Sequence, residues 1–297
     1  MIRHALAIFA LAAALPIAAQ DFSKVEIKTV KLSETAYMME GLGGNLGLSV
    51  GEDGVIIIDD QFAPLTERIS AAIAKLTPKP VRFVLNTHWH YDHVGGNENF
   101  GKTGAIIVAH ENVRSRMSTE QFIELFKQKI PASPRGALPV VTFAGSVVFH
   151  LNGDEMRVVH VPRAHTDGDA IVHFVQSDVI HMGDVYFNGM YPFIDTSSGG
   201  TVQGVISGCD RALAIARDST RIIPGHGPLS NKAELKVYRD MLATVAERIR
   251  KLIADGKTPE QIAAAKPSAD FDEKWGKGII KPETFATMLT DNLAKNR

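Results

Sequence analysis

Residues His88-Trp89-His90-Tyr91-Asp92-His93 place three imidazoles and a carboxylate within six positions, just after the apolar run 81–85. The whole chain has eleven histidines in 297 residues, so chance scatter does not account for this cluster. His88 and His90 are two apart, and from an extended segment both can point the same way. Asp92 and His93 come next, where a tightening loop can turn them toward a second cation. Imidazole combined with carboxylate suits zinc or iron better than magnesium or calcium.

Three later segments offer further ligands of the same type. His165 lies in Ala164-His165-Thr166-Asp167-Gly168-Asp169, between two expected strands. Asp184 lies in Met182-Gly183-Asp184-Val185, immediately after an expected strand over 179–181. His226 lies in Pro224-Gly225-His226-Gly227, immediately after an expected strand over 221–223. Loops of this kind, mounted on a rigid sheet and flanked by glycine, are where sites are commonly built.

The pattern along the chain is consistent with such a sheet. Short apolar runs at 25–30, 36–39, 46–50 and 55–58 read as strands, with glycine-rich turns at 41–44 and 51–54. A helix follows over 64–76, then strands at 81–85 and 105–108 and a helix over 110–117. The proline-rich stretch 131–139 reads as the connection between two halves. Strands are expected beyond it at 140–143, 147–151, 156–161, 170–175 and 179–181, followed by a helix over 202–216. Two halves of similar texture predict two sheets packed face to face with helices outside. Residues 231–254 form a long amphipathic helix whose stripe is Leu235, Tyr238, Leu242, Val245, Ile249 and Leu252. Thr258-Pro259-Glu260 opens another short helix, and the tail is expected to wrap the body.

Composition narrows the class. With 45% hydrophobic and 22% charged residues the chain can bury a large core. Its formal charge of -1 gives no footprint for nucleic acid. Arg3 and His4 precede the apolar run 5–15, then Pro16 and the small residues Ala18 and Ala19. That run is too short to span a bilayer and fits a secretory leader. Residues 1–19 are therefore expected to be a signal peptide and the protein periplasmic or secreted, with 20–297 as one domain carrying a helical extension from about 231. No other stretch is long and apolar enough for a membrane span. Cys209 is the single cysteine, so no intramolecular disulfide can form. It is expected to pack as a small buried hydrophobe.

Taken in order and context, His88, His90, Asp92, His93, His165, Asp184 and His226 resemble the two-metal pattern of the metallo-β-lactamase-fold hydrolase superfamily. The likeness covers residues 25–230. It implies an α/β fold, a four-layer αββα sandwich with the metals at one edge of the sheets. It also implies that His88, His90 and His165 hold the first metal, that Asp92, His93 and His226 hold the second, and that Asp184 bridges them. Asp59 matches the strand-end aspartate expected to order the histidine loop, although capping a turn would account for it equally well. The implied cofactor is a pair of zinc ions, with iron or manganese as alternatives.

Three histidines leave one position open on a tetrahedral zinc. Coordination can lower the pKa of a bound water from 15.7 toward about 7, so no serine or cysteine nucleophile is required. Asp92 is the candidate proton acceptor, a role not separable here from ligation. The expected reaction is hydrolysis of a small-molecule cyclic amide, ester or thioester, β-lactams included. The alternatives are a hydroxyacylglutathione-hydrolase-like thioesterase or lactonase, an iron-dependent oxidoreductase on the same fold, and a metal-binding module without catalysis. True β-lactamases of the superfamily usually carry cysteine or serine near the position of Asp184, and a bridging aspartate is more similar to the thioesterases and lactonases. The short loop 41–44 and the lack of a lysine closely following Asp184 point the same way.

Other candidates carry less. His110, His150, His160, His173 and His181 match no ligand position and read as structural. Trp89 and Tyr91 alternate away from the ligands, where either could line the pocket mouth. Tyr186, Phe187, Tyr191 and Phe193 divide between core packing and substrate contact, and Arg163 between a solvated surface and an anionic substrate group. No feature of the sequence fixes the oligomeric state.

Overall fold

The computed structural model describes residues 21–295, so the expected leader lies outside the described residues. Six strands open the chain: β1 (Lys28–Lys31), β2 (Ala36–Glu40), β3 (Leu46–Gly51), β4 (Gly54–Ile58), β5 (Val81–Asn86) and β6 (Ile106–His110). Strand β4 explains why they stack in layers. Its Ile56 and Ile58 face the second sheet, while Val55 and Ile57 face helix α1 (Thr66–Ala74), and all four are buried. Period-two alternation with both faces apolar is what a central strand needs. Each such side chain contributes about 1.5–3 kcal/mol through burial.

Between β5 and β6 lie α2 (Tyr91–Val94) and α3 (Asn97–Lys102), and α4 (Glu111–Met117) follows β6. A small hairpin follows, β7 (Gln121–Ile123) and β8 (Gln128–Ile130), before β9 (Val141–Phe143). The first sheet has the order β1-β2-β3-β4-β5-β6-β9, antiparallel from β1 to β4 and parallel from β4 onward.

The second sheet is built from β10 (Ser146–Leu151), β11 (Asp154–His160), β12 (Ala170–Phe174), β13 (Val179–His181), β14 (Arg221–Ile223) and β15 (Ser230–Asn231), paired in that order. All its pairs are antiparallel except β13 with β14. Helices α5 (Val202–Ile215), α6 (Lys232–Ala254), α7 (Pro259–Ala264), α8 (Asp272–Trp275) and α9 (Pro282–Lys295) complete the chain. Their apolar faces join Ile171, Ile180 and Ile222 of the second sheet in one core cluster. Between the sheets, Met38, Ile56, Leu85 and Val108 meet Met156, Val158, Val172 and Ile223. The result is the αββα sandwich.

Three sequence expectations need correction. The first strand starts at Lys28 rather than Val25. Residues 140–143 do not open the second half, because β9 pairs in parallel with β6 of the first sheet. A parallel pair needs a long crossover, and residues 111–140, with α4 and the β7–β8 hairpin, supply it. The break between sheets therefore falls at Ala144 and Gly145, after the proline-rich stretch. Cys209 is fully buried on α5, as expected of a small hydrophobe. The stripe of α6 from Leu235 to Ile249 is buried as well, and Asn231 caps the helix by accepting from Glu234 N–H.

Strand direction places the site. The carboxyl ends of β4 and β5 lie together in one sheet, and those of β11, β13 and β14 lie together in the other. Thr87 O accepts from Ala170 N–H at 2.8 Å, and Gly225 O accepts from Asn45 N–H at 2.7 Å, so the two edges are tied to each other.

Candidate metal centre

The histidine run leaves β5 and enters α2, a single helical turn. His90 sits before it in extended conformation, and its carbonyl accepts from His93 N–H at 2.9 Å. That turn swings Asp92 and His93 back under His88. Asp59, one residue past β4, holds the loop in place. Its Oδ1 accepts from Thr87 N–H at 2.7 Å, and its Oδ2 accepts from Thr87 Oγ1 at 2.7 Å and from His93 Nδ1 at 2.8 Å. Asp59 thus bonds across to the histidine loop instead of capping its own turn, and it does so from a left-handed backbone with φ 60°.

Seven side chains converge in two groups: His88, His90, His165 and Asp184 in one, and Asp92, His93 and His226 in the other. Within each group the candidate ligand atoms lie within 4.8 Å of one another. His88 Nε2 and His165 Nε2 are 3.8 and 3.5 Å from Asp184 Oδ2. His226 Nε2 is 3.3 Å from Asp92 Oδ2 and 3.4 Å from Asp184 Oδ2. His93 Nε2 is 3.4 Å from His226 Nε2. Zinc–nitrogen bonds of 2.0–2.1 Å in a tetrahedron give edges of about 3.3–3.4 Å. Most of these separations are therefore those of atoms arranged around an ion, with Asp184 reaching both groups.

The hydrogen bonds behind the rings agree. His88 Nδ1 meets Thr87 Oγ1 at 3.0 Å, and the hydroxyl spends its proton on Asp59. His90 donates from Nε2 to Asp195 Oδ2 at 3.0 Å, His93 from Nδ1 to Asp59, and His165 from Nδ1 to Phe193 O at 2.8 Å. Each of these rings therefore presents its other nitrogen to the cluster, the arrangement that orients metal-binding histidines. Two buried atoms, His88 Nε2 and Asp184 Oδ1, have no hydrogen-bond partner among the described residues. His93 Nε2 lies 3.1 Å from that Oδ1 but outside hydrogen-bond geometry. Buried polar atoms are rarely left unsatisfied, and a cation held by this donor set would satisfy both.

Protonation divides the groups. Burial holds His88 well below the usual histidine range and pushes His165 down to about 4. Burial acts the same way on His226 and His93, but the carboxylates of Asp184 and Asp92 outweigh it. They carry His226 up to about 9 and His93 well above its usual value. Asp92 is lowered to about 2, since His93 and His226 overcome its burial, and Asp184 is held well below the usual carboxylate range by His226 and His93.

Two glycines admit the ligands. A Cβ on Gly44 would stand 2.1 Å from His93 Cε1, and one on Gly225 would stand 2.0 Å from Asp184 Oδ1. Phe187 stacks on His226 with centroids 5.2 Å apart, and Phe193 on His90 at 5.7 Å. Tyr186 and Tyr191 enter the core, and Phe187 belongs to the same buried cluster. Trp89 does not line a mouth: it is buried, and its Nε1 donates to Ser198 Oγ at 3.1 Å. Half-buried Tyr91 packs at 5.9 Å from Phe62. His110, His150, His160, His173 and His181 join neither group; His110 and His160 stack on each other, and His181 meets Asn45 O at 3.1 Å. Exposed Arg163 lines a cleft between α5, α6 and α9 that contains none of the seven.

Sequence reasoning did not find Asp195. In Asp195-Thr196-Ser197-Ser198 it reads as a turn cap, and its Oδ1 does accept from Ser197 N–H and Ser198 N–H. Its other oxygen is what holds His90.

A family model described as Metallo-beta-lactamase superfamily matches residues 39–226. Among curated relatives, a hydroxyacylglutathione hydrolase of Polaromonas sp. (strain JS666 / ATCC BAA-500) is 24% identical over 193 residues, covering 65% of this chain and 66% of the relative. The chain thus spans just under two thirds of that relative's length, and it spans 40% of a 2,4-dinitroanisole O-demethylase subunit alpha from Nocardioides sp. (strain JS1661). A solved metallo-beta-lactamase from Pontibacter korlensis is similar with a TM-score of 0.60 and 19% identity, covering 73% of this chain and 99% of that one. At such identity the likeness is one of fold.

Proposed function

The chain belongs to the metallo-beta-lactamase superfamily, and from that premise we propose that it is an exported dizinc hydrolase acting on the carbonyl of a cyclic amide, ester or thioester. The observation that carries this reading is Asp184, whose Oδ2 lies 3.5 Å from His165 Nε2 and 3.4 Å from His226 Nε2, between the two groups. His88, His90 and His165 would hold one cation, Asp92, His93 and His226 would hold the other, and Asp184 would serve both. Bound there, two divalent cations supply Lewis-acid activation of water and of the substrate carbonyl.

The side chains prepare that chemistry. Asp92 is the most exposed of the seven, at 15%, and it is ionised at neutral pH. It stands at the more open side of the cluster as a carboxylate and is the candidate proton acceptor. Asp59 and Asp195 fix the rings of His93 and His90 from behind. The basic-then-apolar pattern of residues 3–19 supports the place of action outside the cytoplasm.

Aspartate at 184, in place of cysteine or serine, favours thioesters and lactones over β-lactams as the preferred substrates. The test is a panel of a lactone, a thioester and a chromogenic cephalosporin, with zinc-loaded wild type and Asp92→Ala. Turnover of at least one by wild type, abolished in the variant, is the expected result. Failure of all three with two zinc ions bound would overturn the reading.

A further inference from the structure

We infer that helix α9, which lies beyond the segment matched by the family model, belongs to the support of the first metal group, with Met288 and Asn292 as positioning residues. The inference rests on the reading that His88, His90 and His165 hold a cation.

The link is the loop 193–201. It bonds to two of those histidines at once, through Asp195 Oδ2 to His90 and through Phe193 O to His165. It also meets the neighbouring Trp89 through Ser198 Oγ. Apart from a short 3-10 turn, Thr196–Ser198, the loop has no regular structure, and its Gly199 has φ 82°. Strand pairing therefore does not fix it, and the aim of the His90 and His165 lone pairs depends on what else holds it.

Helix α9 grips it on both sides of Asp195. Met288 Sδ accepts from Ile194 N–H at 3.4 Å. Four residues on, and so on the same helix face, Asn292 Oδ1 accepts from Val202 N–H at 3.1 Å, and its Nδ2 donates to Gly200 O at 3.0 Å. Val202 opens α5, where first-turn amides have no partner inside the helix. Asn292 is 3% exposed. A buried amide is costly unless bonded, and its oxygen and nitrogen bond at Val202 and Gly200, where this loop runs into α5. A leucine there would remove both bonds and leave Val202 N–H and Gly200 O without this partner.

The test compares wild type with Asn292→Leu, Asn292→Asp, Met288→Leu and Leu289→Ala by zinc titration against a competing chelator and by the visible absorption of the cobalt-substituted protein. Leu289 is fully buried on α9 in the same core cluster as Met288, but its side chain has no polar atom to bond the loop, so its truncation serves as the control for lost packing. Asn292→Leu should lose about tenfold in affinity for the tighter zinc equivalent and alter the cobalt spectrum, in the range seen for partners behind metal ligands. Asn292→Asp, which keeps the acceptor, should recover part of the loss. Leu289→Ala should lower Tm and leave both readouts unchanged. Wild-type affinity and spectrum in Asn292→Leu, or an equal loss in Leu289→Ala, would overturn the inference. Should Asn292→Leu fail to fold, Met288→Leu decides, with a smaller loss of the same kind expected and no loss overturning it. Wild type that takes up no metal would instead refute the underlying metal reading.

Discussion

His165 Nε2 stands 2.8 Å from His90 Nδ1, although each ring donates its proton away from the other, to Phe193 O and to Asp195. Two lone pairs that close repel unless a cation lies against both. Metal removal should therefore destabilise the protein, because a ligand bound only to the native state adds about 2.7 kcal/mol at one hundred times its Kd. With about 2–4 °C per kcal/mol for a chain of this size, stripping zinc with a chelator should lower Tm by about 5–10 °C, read by calorimetry. An unchanged Tm would contradict the site.

Asp195→Asn keeps the shape and removes the charge behind His90. The amide must also serve the backbone amides of Ser197 and Ser198, which the carboxylate now accepts. Affinity for the first zinc should fall about 10–100-fold, as for other partners behind metal ligands, with the second zinc little changed. Chelator competition measures it, and a uniform loss at both sites would point to a general structural defect.

Asp59 should matter to stability even without metal. Asp59→Ala leaves the Thr87 amide, the Thr87 hydroxyl and His93 Nδ1 without their shared acceptor in a fully buried place. Orphaned buried donors cost about 1–3 kcal/mol each, so a total near 3 kcal/mol is expected after relaxation. Urea unfolding of the metal-free protein checks it, with the midpoint lowered and the slope unchanged.

Lowering pH should empty the two groups in order. His93 and His226 have raised pKa values, about 9 for His226, so they hold protons that a cation must displace, and affinity there falls as pH drops below 9. His88 and His165 are lowered, the latter to about 4, so they stay neutral and available until pH approaches 4. Equilibrium dialysis between pH 8 and 5 should pass through a one-zinc protein. Simultaneous loss of both would contradict the assignment.

The candidate ligands were legible because their chemistry is local: a dense histidine run, then single ligand types at strand ends beside glycine. The layers were legible from the alternation of residues such as Ile56, Ile57 and Ile58. Asp195 was not, because the same side chain caps a turn, and that nearer role hides the more distant one. The β7–β8 hairpin was missed because Gln121, Gln128 and Lys129 break any apolar alternation. The position of β9 depends on its parallel pairing with β6, a relation between segments that neither segment encodes alone.

The seven candidate ligands come from loops following four different strands, one of the first sheet and three of the second. Apart from the histidine run itself, no stretch of unfolded chain could hold a cation well, so assembly of the sandwich has to come before loading. A site finished in that order takes whatever ion surrounds the folded protein, with affinity following the general ranking of divalent metals. The metal found in protein purified from cells is then a record of the compartment where folding ended. Refolding the same chain in zinc, manganese or iron should give three differently loaded proteins with one structure.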